Sequence, residues 1–391
     1  MVIDLAAIRA NVAHLCSRTD AAVMAVVKAD GYGHGLVPSA RAALDGGATW
    51  LGVAQLDEAL ALRAAGVDVP TLAWLWAPDE TDVLHRALDA DVDVSVSAPW
   101  ALERVERWAR DNGRVARVHL KIDTGLSRNG ADVADWPALV EAAARAEDGN
   151  RIEAVGVWSH FAYADAPGHP TITAQIENFE AAVDAARAGG LTPSVRHLAN
   201  SAATLTRPDA HYDLVRPGVA VYGLNPVPAV PAPELTPAMT LRSHVALSKR
   251  VRAGEGVSYG HQYRTSRDTW LALVPLGYAD GIPRAATNVG PLQVDGRRAT
   301  VSGRVCMDQF VVDVDQQPAR AGTEVVVFGP GSDGEPTAQD WADAVDTIHY
   351  EIVTRIGARV PRRYVNGPSD AGPSRAGPGG VVPRGAERMP G

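Results

Sequence analysis

The chain has 391 residues, a formal net charge of −9 and 46% hydrophobic residues. This composition excludes a mostly disordered polymer and argues against a general nucleic-acid-binding surface. At roughly 150 residues per domain, two or three domains are expected. Two cysteines, Cys16 and Cys306, cannot build a disulfide framework or a cysteine-rich metal site, so no metal is expected. The N-terminal stretch carries Asp4 and Arg9 and lacks a secretory pattern, and no run of about 18 apolar residues occurs. The expectation is a soluble, cytoplasmic protein that does not enter a membrane. Of the 37 basic residues only Lys28, Lys121 and Lys249 are lysines. Arginine covers routine surface charge but cannot give up its proton, so each lysine calls for a reason.

In chain order, short β-rich runs alternate with alanine-rich stretches whose apolar residues recur at three- and four-residue spacing. The runs are Ala22–Val27, Thr49–Ala54, Thr71–Trp76, Val92–Val96, Val115–Ile122, Ile152–Trp158, Val195–Leu198 and Leu214–Val221. Helical segments fall between them at Asp57–Ala65, Pro78–Ala90, Pro99–Asn112, Trp136–Glu147 and Thr171–Gly190. Eight strands alternating with helices predict an α/β fold, an N-terminal (β/α)8 TIM-like barrel over residues 1–235. A doubly wound open sheet is the rival, disfavoured because no dinucleotide-type glycine fingerprint follows the first strand. The proline-rich stretch Asn225–Pro237 reads as a crossing segment. Residues 236–365 read as a mostly β C-terminal domain, with runs at Met239–Arg250, Thr269–Pro275, Ala299–Gly303, Phe310–Val314 and Thr323–Gly329 and one helix at Thr337–Ala344. Residues 366–391, rich in Gly and Pro, read as a disordered tail.

Several strand ends carry chemistry. Lys28 closes the first run and precedes the glycine-rich Ala29-Asp30-Gly31-Tyr32-Gly33-His34-Gly35. A lysine there points into the mouth of a barrel, where it serves a structural, phosphate-binding or catalytic role. Lys121 ends the fifth run, with Arg128 seven residues on, a spacing open to anion binding or to a structural ion pair. His160 follows the sixth run, and a histidine taken alone is more often a satisfied core residue than a catalytic one. Ser201 follows the seventh run and starts a helix, either as an ordinary cap or beside a phosphate. Together with Gly218 and Val219 after the eighth run it occupies the position where barrels often bind phosphate.

These motifs, in this order from Ile3 to about Tyr364, resemble the alanine racemases, a family with a barrel, a β-domain and pyridoxal 5′-phosphate. The resemblance implies that Lys28 holds the cofactor and serves as one catalytic base. Tyr278, in Gly277-Tyr278-Ala279-Asp280-Gly281, is then the second base, acting on the opposite face of the substrate. It assigns Tyr32, His160, Ser201, Arg216, Gly218, Val219 and Tyr350 to cofactor binding, with Arg216 at the pyridine nitrogen. It assigns Arg128 and Met307 to the substrate carboxylate and makes Lys121 a candidate for carbamylation. The implied partners are L-alanine and D-alanine, with D-alanine destined for peptidoglycan, and a homodimer whose two sites are shared. The family usually has Asn-Ala where this chain has Asp30-Gly31, and often proline where it has His349. An amino-acid decarboxylase on the same scaffold, a racemase preferring serine, and a non-catalytic pyridoxal-phosphate-binding barrel are the rivals. Arg216, the lack of a Gly-Gly-Gly run and the appended β-domain weigh against the first and last.

Overall fold

The computed structural model describes residues 1–232 and 234–367, so the expected tail lies almost wholly outside the described residues. Nine strands occupy the first part of the chain: β1 (Val2–Asp4), β2 (Ala22–Val26), β3 (Trp50–Val53), β4 (Thr71–Ala73), β5 (Asp93–Val96), β6 (Ala116–Lys121), β7 (Ile152–Trp158), β8 (Val195–His197) and β9 (Leu214–Val215). Strands β2 to β8 pair in chain order, all parallel, and β9 lies beside β2. A single parallel bridge between Asn200 and Arg216 links the β8 and β9 sides. The sheet is therefore a nearly closed eight-stranded barrel, and the open-sheet alternative is set aside. Its strands are buried on both faces, which is why they read as near-continuous apolar runs.

Side-chain alternation divides the barrel into two faces. On β6, Val118 and Leu120 join the main core beneath the helices, so His119 and Lys121 point to the barrel interior. One part of that interior is an apolar cluster of Met24, Leu72 and Leu214, packed by Trp50 and Trp74. The other part is polar: Asp93, Ser95, His119, His197 and Arg216 are all buried.

The second domain adds β10 (Met239–His244), β11 (Leu247–Val251), β12 (Gly256–Val257), β13 (Tyr263–Arg264), β14 (Thr269–Val274), β15 (Pro291–Val294), β16 (Arg297–Thr300), β17 (Phe310–Asp313), β18 (Glu324–Phe328) and β19 (Arg363–Val365). Six strands form one sheet in the order β16-β15-β18-β10-β1-β19, and β11-β14-β17 form another. The first strand of the chain thus belongs to the second domain's sheet, antiparallel to β10 and parallel to β19.

Four sequence expectations need correction in detail, and the first is that the second domain has one helix: His349–Thr354 forms another beside Ala338–Ala344. Leu214–Val221 is not one strand: Pro217 interrupts it, and Val219–Tyr222 forms a 3-10 turn. Met239–Arg250 is two strands in different sheets, because Val245 bonds to Thr323 and Ala246 to Leu273. The strand expected over Ala299–Gly303 spans Arg297–Thr300, the return arm of a hairpin from β15. Its turn residues, Asp295 and Gly296, both have positive φ, as a two-residue hairpin loop demands.

Candidate active site

The C-terminal ends of the barrel strands open on a cavity of about 700 Å³. Lys28, Tyr32, Lys121, Arg128, His160, Ser201, Arg216, Gly218, Val219 and Tyr350 all line it. Every expected cofactor residue is therefore at one mouth. Sequence reasoning missed Trp74, Asn129, Trp158 and Asn200, which line it too. A tryptophan or asparagine at a strand end has no signature until the barrel closes around it.

Lys28 opens a left-handed turn. Ala29, Asp30, Gly31 and Tyr32 all have φ between 53° and 61°, an arrangement unfavourable for three of the four residue types. Side chains hold it in place. Glu58 accepts from the Ala29 N–H (2.6 Å), while Asp30 accepts from Leu36 N–H (2.8 Å) and pairs with Arg362 (3.2 Å). Asp30, a departure from the family pattern, thus gains an ion pair to the second domain. Gly31 fits closely here: a Cβ would lie 2.8 Å from Ser39 Oγ, so the alanine usual in the family would need that hydroxyl to move.

The second domain reaches this mouth through the helix His349–Thr354. Gly33 lies so close to it that a Cβ would stand 2.5 Å from the Val353 carbonyl oxygen. Tyr350 thereby comes within 6.3 Å of the Tyr32 ring, centroid to centroid. His349 is the first residue of that helix, a position that also tolerates proline, and its Nδ1 bonds to Gln339 (2.8 Å).

Four cationic side chains converge on the cavity. Burial, then the nearby Arg128, pushes the Lys28 ammonium below its usual range. Lys121 is pushed down to about 7 by burial first, then by Arg216 and Arg128. Its Nζ lies 4.1 Å from the Trp158 ring centroid. Arg216 is 4% exposed, and its Nη2 donates to the carbonyls of Ser159 (2.7 Å) and Leu198 (3.2 Å) and to His160 Nδ1 (3.3 Å). Its Nη1 donates to His197 Nδ1 (3.1 Å). Among the described residues nothing accepts from its Nε, although the residue lines the cavity. His160 is held neutral, far below its usual range, by burial and then by Arg216 and Arg128.

Ser201 begins the helix Ser201–Thr206, whose cap is Asn200, accepting from Ala203 N–H (3.1 Å). Ser201 Oγ accepts from the Gly218 (2.7 Å) and Ala220 (3.2 Å) N–H groups. This ties the helix to the turn after β9, so an oxyanion binding Gly218 N–H must exchange with that hydroxyl. Gly218 cannot carry a side chain, because a Cβ would lie 2.3 Å from the Tyr32 hydroxyl.

Tyr278 and Met307 lie elsewhere. They are 44% and 53% exposed and do not line the cavity. They share one patch of the second domain, where Tyr278 N–H donates to Cys306 O and Ala279 N–H to Met307 O, both at 3.0 Å. Gly277 makes that approach possible, since a Cβ would stand 2.2 Å from the Met307 oxygen. Asp280 accepts from Gly277 N–H (2.9 Å), and Arg359 bridges Asp280 (3.3 Å) and Asp308 (2.8 Å). Lys249 sits on β11 and is not among the residues of either constellation. Among the described residues no cluster of His, Cys, Asp and Glu is placed to hold a metal, and no helix is long and apolar enough to cross a membrane.

Comparisons with known proteins agree with this geometry. Residues 3–226 match the family model "Alanine racemase, N-terminal domain", and residues 238–364 match "Alanine racemase, C-terminal domain". The chain is 64% identical to an alanine racemase of Frankia casuarinae, over 93% of this chain and 95% of that one. It is 50% identical to one of Mycobacterium bovis, again over 93% and 95% of the two chains. Among solved structures, alanine racemase from Streptomyces lavendulae superposes with a TM-score of 0.92 at 54% identity, covering 94% and 96%. The Bacillus anthracis alanine racemase with bound L-Ala-P superposes at 0.86 and 36% identity, covering 94% and 95%. With both domains matched end to end and the lysine-bearing mouth intact, the chain belongs to the alanine racemase family.

Proposed function

We propose that this chain interconverts L- and D-alanine with pyridoxal 5′-phosphate at the barrel mouth, supplying D-alanine for peptidoglycan. When bound, the cofactor supplies the electron sink that makes an amino acid's α-proton removable near neutral pH. The observation that carries the reading is a buried guanidinium with a donor to spare, lining the same cavity as a lysine whose ammonium is destabilised.

The residues fit the cofactor. Lys28 Nζ is the amine that holds it, and burial with Arg128 keeps that amine ready to lose its proton. Arg216 would donate to the ring nitrogen without surrendering its own proton, because a guanidinium stays charged. Ser201, Gly218, Val219 and Tyr350 would bind the phosphate, and Tyr32 closes that side against Gly218. His160, a neutral ring bonded to Arg216, keeps the guanidinium in place and would sit beside the cofactor ring. Arg128, exposed at the mouth and without a bonded partner among the described residues, binds the substrate carboxylate and so orients the amino acid. Lys121, neutral in a substantial fraction near pH 7, can take up carbon dioxide as a carbamate and then counter Arg128.

Racemisation requires a proton to leave one face and return on the other. Lys28 Nζ exchanges it on the D-alanine side and Tyr278 Oη on the L-alanine side. Tyr278 and Met307 are displaced from the cavity of their own chain, which supports a homodimer whose subunits each lend the other this patch; we place that dimer in the cytoplasm. Met307 and Tyr350 then narrow the pocket toward a small side chain. Purified protein should form D-alanine from L-alanine faster than D-serine from L-serine. Borohydride reduction and peptide mapping should place the cofactor label on Lys28; label on any other residue sinks the reading.

A further inference from the structure

The polar part of the barrel interior contains a continuous chain of hydrogen bonds that the reaction scheme above does not use. Arg117, partly exposed, pairs with Asp93 through two contacts of 2.8 and 3.3 Å and with Glu153 at 2.8 Å. Asp93 Oδ2 meets His119 Nε2 at 3.2 Å, His119 Nδ1 meets His197 Nε2 at 2.8 Å, and His197 Nδ1 meets Arg216 Nη1 at 3.1 Å. Asp93, His119, His197 and Arg216 are all nearly inaccessible.

Proton positions in this chain follow from donor chemistry. A guanidinium only donates, so His197 Nδ1 accepts. The neutral ring then carries its proton on Nε2 and donates to His119 Nδ1, leaving the His119 proton on Nε2 to be donated to Asp93. An ionised carboxylate is the one partner that suits the far end. His119 and Arg117 hold Asp93 below the usual carboxylate range in spite of the opposing burial, and burial with Arg216 keeps His197 neutral. The surroundings fix the rings as well. Gly156 leaves room for His119, since a Cβ there would lie 2.5 Å from its Nδ1. The β6–β7 ladder shifts register at Val118/His119. Trp158 stacks on His197 at 5.5 Å and donates to Ser95 Oγ (3.0 Å), and Trp50 meets His119 edge-on.

We propose that Asp93 and His119 are positioning residues for Arg216, holding its guanidinium through His197 in a single orientation toward the cavity. The proposal rests on Arg216 being the group that faces the cofactor. A polarised chain ending in a carboxylate strengthens each successive acceptor, so His197 Nδ1 grips Nη1 harder than an isolated imidazole would. Arg216 therefore cannot swing away when the ring nitrogen changes its demand for a proton.

Nitrogen-15 NMR of imidazole-labelled protein, cofactor-free and loaded, tests the chain directly. His197 and His119 are expected to be protonated on Nε2 alone in both forms; protonation of His197 at Nδ1 overturns the proposal. Asp93→Asn and His119→Gln keep side-chain size and polarity but weaken the chain. Each should shift the absorption band of the bound cofactor and lower kcat about ten-fold, the lower end of what losing a supporting partner costs at metal-bound histidines, with KM changed less than about two-fold. Trp50→Phe, which loosens the packing of His119 without touching a hydrogen bond, should lower stability and leave band and kcat unchanged. Folded Asp93→Asn and His119→Gln proteins with parental band, tautomers and kcat would refute the role. Should either variant fail to fold, the tautomers of the parent decide. A parent chain that makes no D-alanine would instead defeat the proposed function, a separate outcome from the tautomer result.

Discussion

At the barrel mouth the side chains of Arg216, His160 and Ser201 and the turn that carries Lys28 are held by their own chain, whereas at the Tyr278 patch only the backbone is. Lys28 sits on a turn clamped by Glu58 and Asp30, and Arg216 is wedged among two carbonyls and two imidazoles. Around Tyr278 the chain is equally well bonded through Cys306, Met307 and Asp280, yet the phenol and the Met307 side chain face outward. A binding site can be finished internally when it must grip a cofactor. A patch rigid in backbone and open in side chain is instead half of a surface.

This contrast can be broken or sharpened by substitution. The largest effect belongs to Lys28→Ala, which should lower racemisation by about a thousand-fold or more in both directions. Mixing it with Tyr278→Phe chains should restore part of the activity if sites are shared, measured as D-alanine formation; no restoration would mean that each chain completes its own site. Tyr278→Phe alone should cost about a hundred-fold or more in proton abstraction from L-alanine. Exchange of the D-alanine proton with solvent should survive it, and equal losses on both sides would contradict the two-base assignment.

Lys121 gives a smaller effect, with a definite sign. Its folded pKa of about 7 lies below the usual 10.5, so between those values the unfolded chain binds the extra proton. Stability contributed at this site therefore rises with pH from about 7 to about 10 and is flat below. Lys121→Met should remove that slope from a series of denaturant titrations. Smallest is Arg362→Ala, which frees Asp30 and the Gly33 carbonyl that Arg362 Nε reaches at 2.9 Å. A loss of about 1 kcal/mol in unfolding free energy is expected, with weaker cofactor retention.

Much of this was legible before any coordinates. The barrel could be read because parallel strands covered on both sides are apolar throughout, and the mouth because lysine is scarce enough for Lys28 and Lys121 to stand out. The resemblance then gathered residues as distant as Arg216 and Tyr350. What stayed hidden depended on closure or on distant pairing. Asp93 and His119 look like isolated polar residues within apolar strands until the barrel brings them side by side. The switch of sheets at Val245 and Ala246 carries no Gly or Pro to mark it. Strand β1 is three residues long, too short for any periodicity to show.

That short strand has a consequence for how the molecule is made. Among the described residues, Val2–Asp4 pairs with Met239–His244 and Arg363–Val365. At about 5–20 residues per second, the ribosome releases the last of them roughly 20–70 s after the first. The barrel can assemble during that interval while its leading end waits unpaired. Pairing of Val2–Asp4 with Arg363–Val365 therefore joins residues made far apart in time, and a product truncated before Arg363 would leave β1 with a bare edge.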